Sequence, residues 1–256
     1  MNRDEHLTFI RTSLAKVMRD VVSSAALLGD GMEFYAVQGN VLQSLFLQMT
    51  GAQEQKMKCI CWELATNDLK YRYERYYKGW SLSECSSLQS KNTVFKDLMK
   101  SIRTHEPTFI LYSDDTAKET LRDSVLQSVK DVFLGTNIQK LYEKKFDEFC
   151  SIWGSLKATN IYPDKYQLIK TGDKEAPLSV NTDNKLYAVY HLLYTHRNSC
   201  AHNATSYQLN IPAFRDLNND VYQKYNNIFL FFATLLLIDE MFRKAFARYE
   251  DLVLYS

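Results

Sequence analysis

Apolar residues recur along this chain at three- and four-residue spacings, with almost no sustained alternation, and that period predicts helices. Leu7, Ile10, Leu14, Val17, Met18, Val21 and Val22 place one amphipathic helix over Glu5 to Leu28, ended by Gly29-Asp30-Gly31. Phe34, Val37, Val41, Leu45, Met49, Met57, Ile60, Leu64 and Leu69 predict a second helical stretch from Glu33 to about Lys78, with a bend expected near Gly51. Gly79 to Thr93 is Ser-rich and aperiodic, which suits a connecting loop. The run after Pro107 (Thr-Phe-Ile-Leu-Tyr) reads as a short strand or a buried extended piece.

Thr116 and Glu119 have the spacing of a capping box, so a helix is expected to start there. Its apolar face runs through Leu121, Val125, Val129 and Phe133. It pauses at Gly135-Thr136-Asn137 and resumes with Ile138, Leu141, Phe146, Phe149 and Trp153. Tyr162 to Asn181, which holds Pro163, Gly172 and Pro177, is the longest expected loop. Leu186, Tyr190, Leu193 and Arg197 then share a helical stripe. A last helix is expected from about Asp216 to Val253, through Leu217, Val221, Ile228, Phe232, Leu235 and Phe246. The pattern predicts an all-α fold, an antiparallel bundle of long helices. Residues 1–31 form an N-terminal helical extension, and 32–256 form the bundle with insertions at about 79–115 and 157–182.

Composition supports long elements: 8 Gly and 4 Pro in 256 residues leave few places to turn the chain. The formal net charge of +1 excludes a generally basic surface, so nucleic acid would have to meet a local positive patch. The start, MNRDEHLTF, carries acids where a signal peptide is basic, so export is not expected. The longest apolar run, Ile228 to Ile238, is about half the ~20 residues a membrane span needs and reads as a buried helix. Cysteines at 59, 61, 85, 150 and 200 form an odd set with no CxxC pair. They suggest neither a disulfide framework nor a zinc module, and a reducing, cytoplasmic location is the expectation.

The chemistry concentrates in Arg197-Asn198-Ser199-Cys200-Ala201-His202. These residues combine a permanent cation with a planar donor fork, an amide, and an imidazole that exchanges protons near neutral pH. Metal-free cleavage of RNA needs a base for the ribose 2′-hydroxyl, an acid for the leaving 5′-oxygen and a cation for charge growing on phosphorus. His202 suits the first two roles and Arg197 the third. On a continuous helix, five residues turn through roughly 500°, which leaves Arg197 and His202 about 140° apart. Either the helix breaks between them, or a second chain completes the site across a two-fold axis.

RNxxAH at a helix end resembles the RNA-cleaving motif of the HEPN superfamily: an arginine, then Asn, Asp or His, then a histidine four to six residues after the arginine. Arg197, Asn198 and His202 meet that pattern over about Tyr190 to Asn203. The resemblance implies a four-helix core within the bundle and a homodimer with facing motifs. It also implies metal-independent endoribonuclease cleavage leaving a 2′,3′-cyclic phosphate, without a cofactor and usually in toxin or antiviral defence systems, where a companion or regulatory protein is an expected partner. One toxin branch carries Tyr two residues after the histidine, as the target of a partner nucleotidyltransferase. Ala204 stands there in this chain, which argues against that partner.

Other readings stand beside this one. Arg197 and His202 also suit a helix C-terminus, where cations stabilise the last carbonyls, and the cluster could serve a noncatalytic helical module that binds RNA or a partner protein. His196 and Asn203 flank the motif as candidate RNA contacts. Arg72 and Arg75, within Lys70 to Trp80 (KYRYERYYKGW), mix cations with aromatic rings as single-strand binders do, although Tyr anchors packed on a bundle explain that mixture too. His191 and His196 with Cys200 invite a metal reading, but no HExxH or paired-cysteine pattern supports one. Cys200 as a nucleophile beside His202 lacks an evident orienting group and reads rather as packing. Asp239 and Glu240 are expected to pair with Arg243 and Lys244 on a solvated face.

Overall fold

A computed structural model of the chain describes residues 3–26, 31–77, 85–161, 163, 166–171, 185–202 and 220–253, with side chains for all of these except 26, 32–36, 76, 77, 201, 202 and 221. The fold is all-α, as the apolar period requires. Eleven α-helices occur among the described residues: α1 Arg3–Arg11, α2 Leu14–Ala26, α3 Met32–Asn67, α4 Leu69–Tyr77, α5 Leu88–His105, α6 Asp115–Phe133, α7 Asn137–Leu141, α8 Glu143–Gly154, α9 Lys185–His202, α10 Asp220–Tyr225 and α11 Ile228–Val253. A single antiparallel bridge, Ile161 with Ile169, is the only β-type pairing among them.

Helix α11 is the axis of the core. The apolar run of the sequence lies within it, buried from Phe229 to Ile238, and α3, α5, α6, α8 and α9 pack around it. Rings from three helices meet there. Phe133 of α6 stacks on Phe232 at 5.8 Å and meets Phe229 edge-on at 5.1 Å, while Phe146 of α8 meets Phe229 edge-on at 5.2 Å. Leu7, Ile10, Leu14 and Met18 of α1 and α2 belong to this same core, so the N-terminal pair shares one apolar interior with the other helices. No described helix is long and apolar enough to cross a membrane.

Several helix boundaries differ from the periodicity. The first amphipathic stretch is two helices, broken at Thr12-Ser13. Helix α3 continues without interruption through Gly51, where the expected Glu33–Lys78 stretch could have broken, and stops at Asn67. The Asp68 side chain there accepts from the Tyr71 amide and starts α4. Part of the expected Ser-rich loop is the first turn of α5. Ser87 accepts from the Ser90 amide, and Leu88, Val94, Phe95, Leu98, Met99 and Ile102 form a buried stripe. The segment after Pro107 turns rather than forming a strand, although Leu111 and Tyr112 are buried as an extended piece would bury them.

Helix α6 is capped by Asp114, whose Oδ1 accepts from Ala117 N at 2.7 Å, so the expected Thr116-Glu119 box is displaced. The pause at Gly135-Thr136 is present, with Gly135 at φ 81° and Thr136 capping α7. The expected last helix is interrupted at Asn226-Asn227. Buried Asn227 accepts from Phe229 N at 3.0 Å and donates to the Lys145 carbonyl at 2.7 Å, which starts α11 and ties it to α8. Residues 162, 164, 165 and 172–181 of the expected long loop, and residues 216–219 of the expected last helix, lie outside the described residues.

Candidate functional site

Helix α9 carries the motif. Its first turns are held by Leu186, Val189, Leu192 and Leu193 in the core, and by Tyr190, whose hydroxyl donates to the Ser86 carbonyl at 3.1 Å. The apolar run of α9 ends at Leu193; of residues 194–199 Thr195 is exposed and the others are half-buried, and Cys200 is buried again.

Arg197 lies where α9 crosses α3. Its Nη2 donates to both carboxylate oxygens of Glu54, at 3.0 and 3.2 Å, and its Nη1 donates to Asn198 Oδ1 at 3.1 Å. About a quarter of the Arg197 side chain remains exposed. The guanidinium is thus held by an acid from one helix and an amide from its own, while part of the Arg197 side chain stays exposed.

Lys91 of α5 stands behind this pair. It is buried, donates to the Cys85 carbonyl at 3.0 Å, and lies within electrostatic reach of Glu54 and Arg197. Burial pushes its pKa down to about 8, against the opposing pull of Glu54. Neither Glu54 nor Lys91 stands out in the sequence. Glu54 is one acid in a long helix 143 residues from Arg197, and Lys91 falls in the stretch that reads as a loop.

Helix α9 does not break between Arg197 and His202: residues 185–202 are one α-helix, which keeps the two motif residues about 140° apart around its axis. The His202 side chain, and all of Asn203, lie outside the described residues.

His196 is held by aromatic neighbours. Its ring packs on Phe46 at 4.9 Å and Phe231 at 5.7 Å, and its Nε2 is 3.6 Å from Cys200 Sγ. Burial lowers the His196 pKa and raises that of Cys200, so both are driven towards their neutral forms. This suits packing better than an activated thiolate. His191 is half-buried, and its pKa is likewise lowered by burial. Among the described residues no three His, Cys, Asp or Glu side chains gather as a metal set.

The basic-aromatic segment divides in two. Arg75 is paired with Asp97 of α5 and lies 5.5 Å from the centre of the Tyr71 ring, and Tyr71 itself donates to Asp97. Those residues anchor α4 to α5. Arg72 and Tyr73 are exposed, while Lys78, Gly79 and Trp80 lie outside the described residues. Asp239 is not on a solvated face. It is buried and paired with Lys56 of α3, whereas Glu240 does pair with Arg243, and Lys244 lies over the Tyr112 ring.

Compared with known proteins, the chain matches no family model, and no curated protein or solved structure is significantly similar to it.

Proposed function

We propose that this chain is a metal-independent endoribonuclease of the HEPN type, acting as a homodimer in a toxin or antiviral defence role. Arg197 stabilises charge on the phosphorus, Asn198 orients Arg197 or the scissile phosphate, and His202 transfers protons. The 2′-oxygen attacks the adjacent phosphorus as a base removes its proton. The bond to the 5′-oxygen breaks as an acid protonates it, and a 2′,3′-cyclic phosphate and a 5′-hydroxyl remain.

The observation that carries this reading is the setting of Arg197 on an unbroken α9. Glu54 and Asn198 fix the guanidinium while part of the Arg197 side chain stays exposed, as suits a group that must meet an anion in one orientation. Because the helix continues to His202, one copy does not bring the two motif residues onto a single face. A two-fold partner would supply the second arginine and histidine.

A noncatalytic module is the second reading. It draws on the same pair, since Glu54 already neutralises Arg197 much as a purely structural ion pair would. To decide, purified wild type, Arg197→Ala and His202→Ala are incubated with total RNA in excess EDTA, and the new ends are analysed. Cutting by the wild type alone, with cyclic phosphate ends, supports the nuclease. RNA binding by the wild type without turnover supports the module, and equal cutting by all three rejects this site.

A further inference from the structure

Trp62 is more than half exposed, at 58%, on a helix whose neighbouring Ile60, Cys61 and Leu64 are buried. It lies eight residues after Glu54, a rotation of about 80° and a rise of about 12 Å along α3, so it stands about a quarter turn around the helix from the Arg197–Glu54 pair. Lys58 sits between them, one turn from each. Beyond Trp62 the surface continues onto α4 with exposed Leu69 and Tyr73, at 70% and 60%, beside exposed Lys70 and Arg72.

The charges along this strip are unequally committed. Glu54 is paired with Arg197, Glu63 is buried against Arg3, and Asp68 caps the Tyr71 amide. Lys58, Lys70 and Arg72 enter no salt bridge with any described residue. Asp68 and Glu74 are exposed acids that offset part of this excess, which leaves three cations against two carboxylates. The result is a path of exposed rings with uncommitted cations beside them, starting next to Arg197.

We propose that Trp62 is a base-stacking platform for single-stranded RNA, with Lys58 holding a phosphate between that base and Arg197. The inference rests on the reading of Arg197 as an RNA-facing group, and it names the substrate class: an unpaired strand. An indole face stacks on any base but needs the base unstacked from its neighbours, which a duplex does not offer. Net positive charge with exposed rings fits a polyanion carrying aromatic bases better than it fits a purely apolar partner face.

The test uses the intact protein and a 2′-O-methyl uridine dodecamer, which lacks the attacking hydroxyl and so reports binding independently of cleavage. Of the three tryptophans, Trp153 is fully buried, so quenching by a stacked base is assigned by comparing wild type with Trp62→Phe. The expected results are quenching by the single strand and not by a 2′-O-methyl duplex, and loss of most of that quenching in Trp62→Phe. Trp62→Ala should weaken Kd by about tenfold or more while Trp62→Phe stays near wild type. Lys58→Ala should reduce the salt dependence of binding by about one phosphate contact. The ring is exposed, so an unchanged thermal melt should show that these variants fold.

Equal affinity of Trp62→Ala and wild type, preference for the duplex, or no binding of the single strand would overturn the proposal. So would a shift from dimer to monomer in Trp62→Ala with RNA affinity intact, which would make the strip a contact between copies. Binding through Trp62 by a wild type that never cuts RNA would keep this inference and reject the nuclease. Cutting with no contribution from Trp62 would do the reverse.

Discussion

Lys56 Nζ and Asp239 Oδ1 lie 2.7 Å apart in the core, and between them they hold the break between α1 and α2. Lys56 also donates to the Thr12 carbonyl at the end of α1, and Asp239 Oδ2 accepts from Leu14 N at the start of α2, at 2.9 Å. Two open helix ends, 225 and more residues from Asp239 in sequence, are satisfied by one buried ion pair. Burial lowers the Lys56 pKa and raises that of Asp239, each partly offset by the other. Around this pair, Arg11 donates twice to Glu250, and Arg243 donates to the Arg11 carbonyl.

Removing one member of that pair should cost more than removing both. Lys56→Met leaves Asp239 buried without its cation, and a loss of about 3–5 kcal/mol is expected by urea denaturation. Lys56→Met with Asp239→Asn should recover part of it, since an Asn oxygen still accepts from Leu14 N. Additive losses in the double-mutant cycle would show that the two residues do not act as a unit.

Glu54 should matter to activity more than to stability. Both members of its pair with Arg197 keep some exposure, so Glu54→Gln is expected to change the unfolding free energy by no more than about 1 kcal/mol. If Arg197 stabilises the transition state, the same variant should lower kcat/KM for RNA cleavage by up to about 100-fold through misplacement of the guanidinium. Glu54→Asp should restore part of that loss. Wild-type cleavage by Glu54→Gln would remove Glu54 as a positioning residue.

Lys91 should make stability depend on alkaline pH. Its folded pKa, about 8, lies below the ordinary 10.5, so between these values the unfolded chain binds a proton that the folded chain has lost. This residue's contribution therefore rises with pH over that window, by about 3 kcal/mol in total, and is absent below pH 8. Lys91→Met should lack this component, so the difference between the two proteins should change steadily from pH 8 to 10.5. Parallel stability curves over that range would contradict the assignment.

Gly135 should resist substitution for conformational reasons alone. It sits at φ 81°, and no atom lies within 4 Å of where a Cβ would stand. Gly135→Ala is expected to cost about 1–2 kcal/mol in chemical denaturation, and Gly135→Asn less, because Asn tolerates left-handed backbone. Equal costs for the two would mean that contacts, not φ, limit the position.

Much of this was open to a reading of the chain by itself. The helical period of its apolar residues determined the all-α class and the burial of Phe229 to Ile238. Local chemistry placed the turn at Gly135-Thr136, and residue types drew attention to Arg197, Asn198 and His202. Those properties are local, because spacing reports which face of a segment is apolar and a turn depends on the residues that form it. Tertiary structure alone decided the partners. Glu54 meets Arg197 only because α3 and α9 cross at those residues, and Asp239 faces Lys56 rather than Arg243 because α11 is covered on that side. Lys91 is buried because α5 packs against α3 and α11. Neither the partner of a charge nor the point where a long helix must stop for another to dock is written in the spacing of its neighbours. Both follow from the register in which whole helices pack, and that register is set by the core they share.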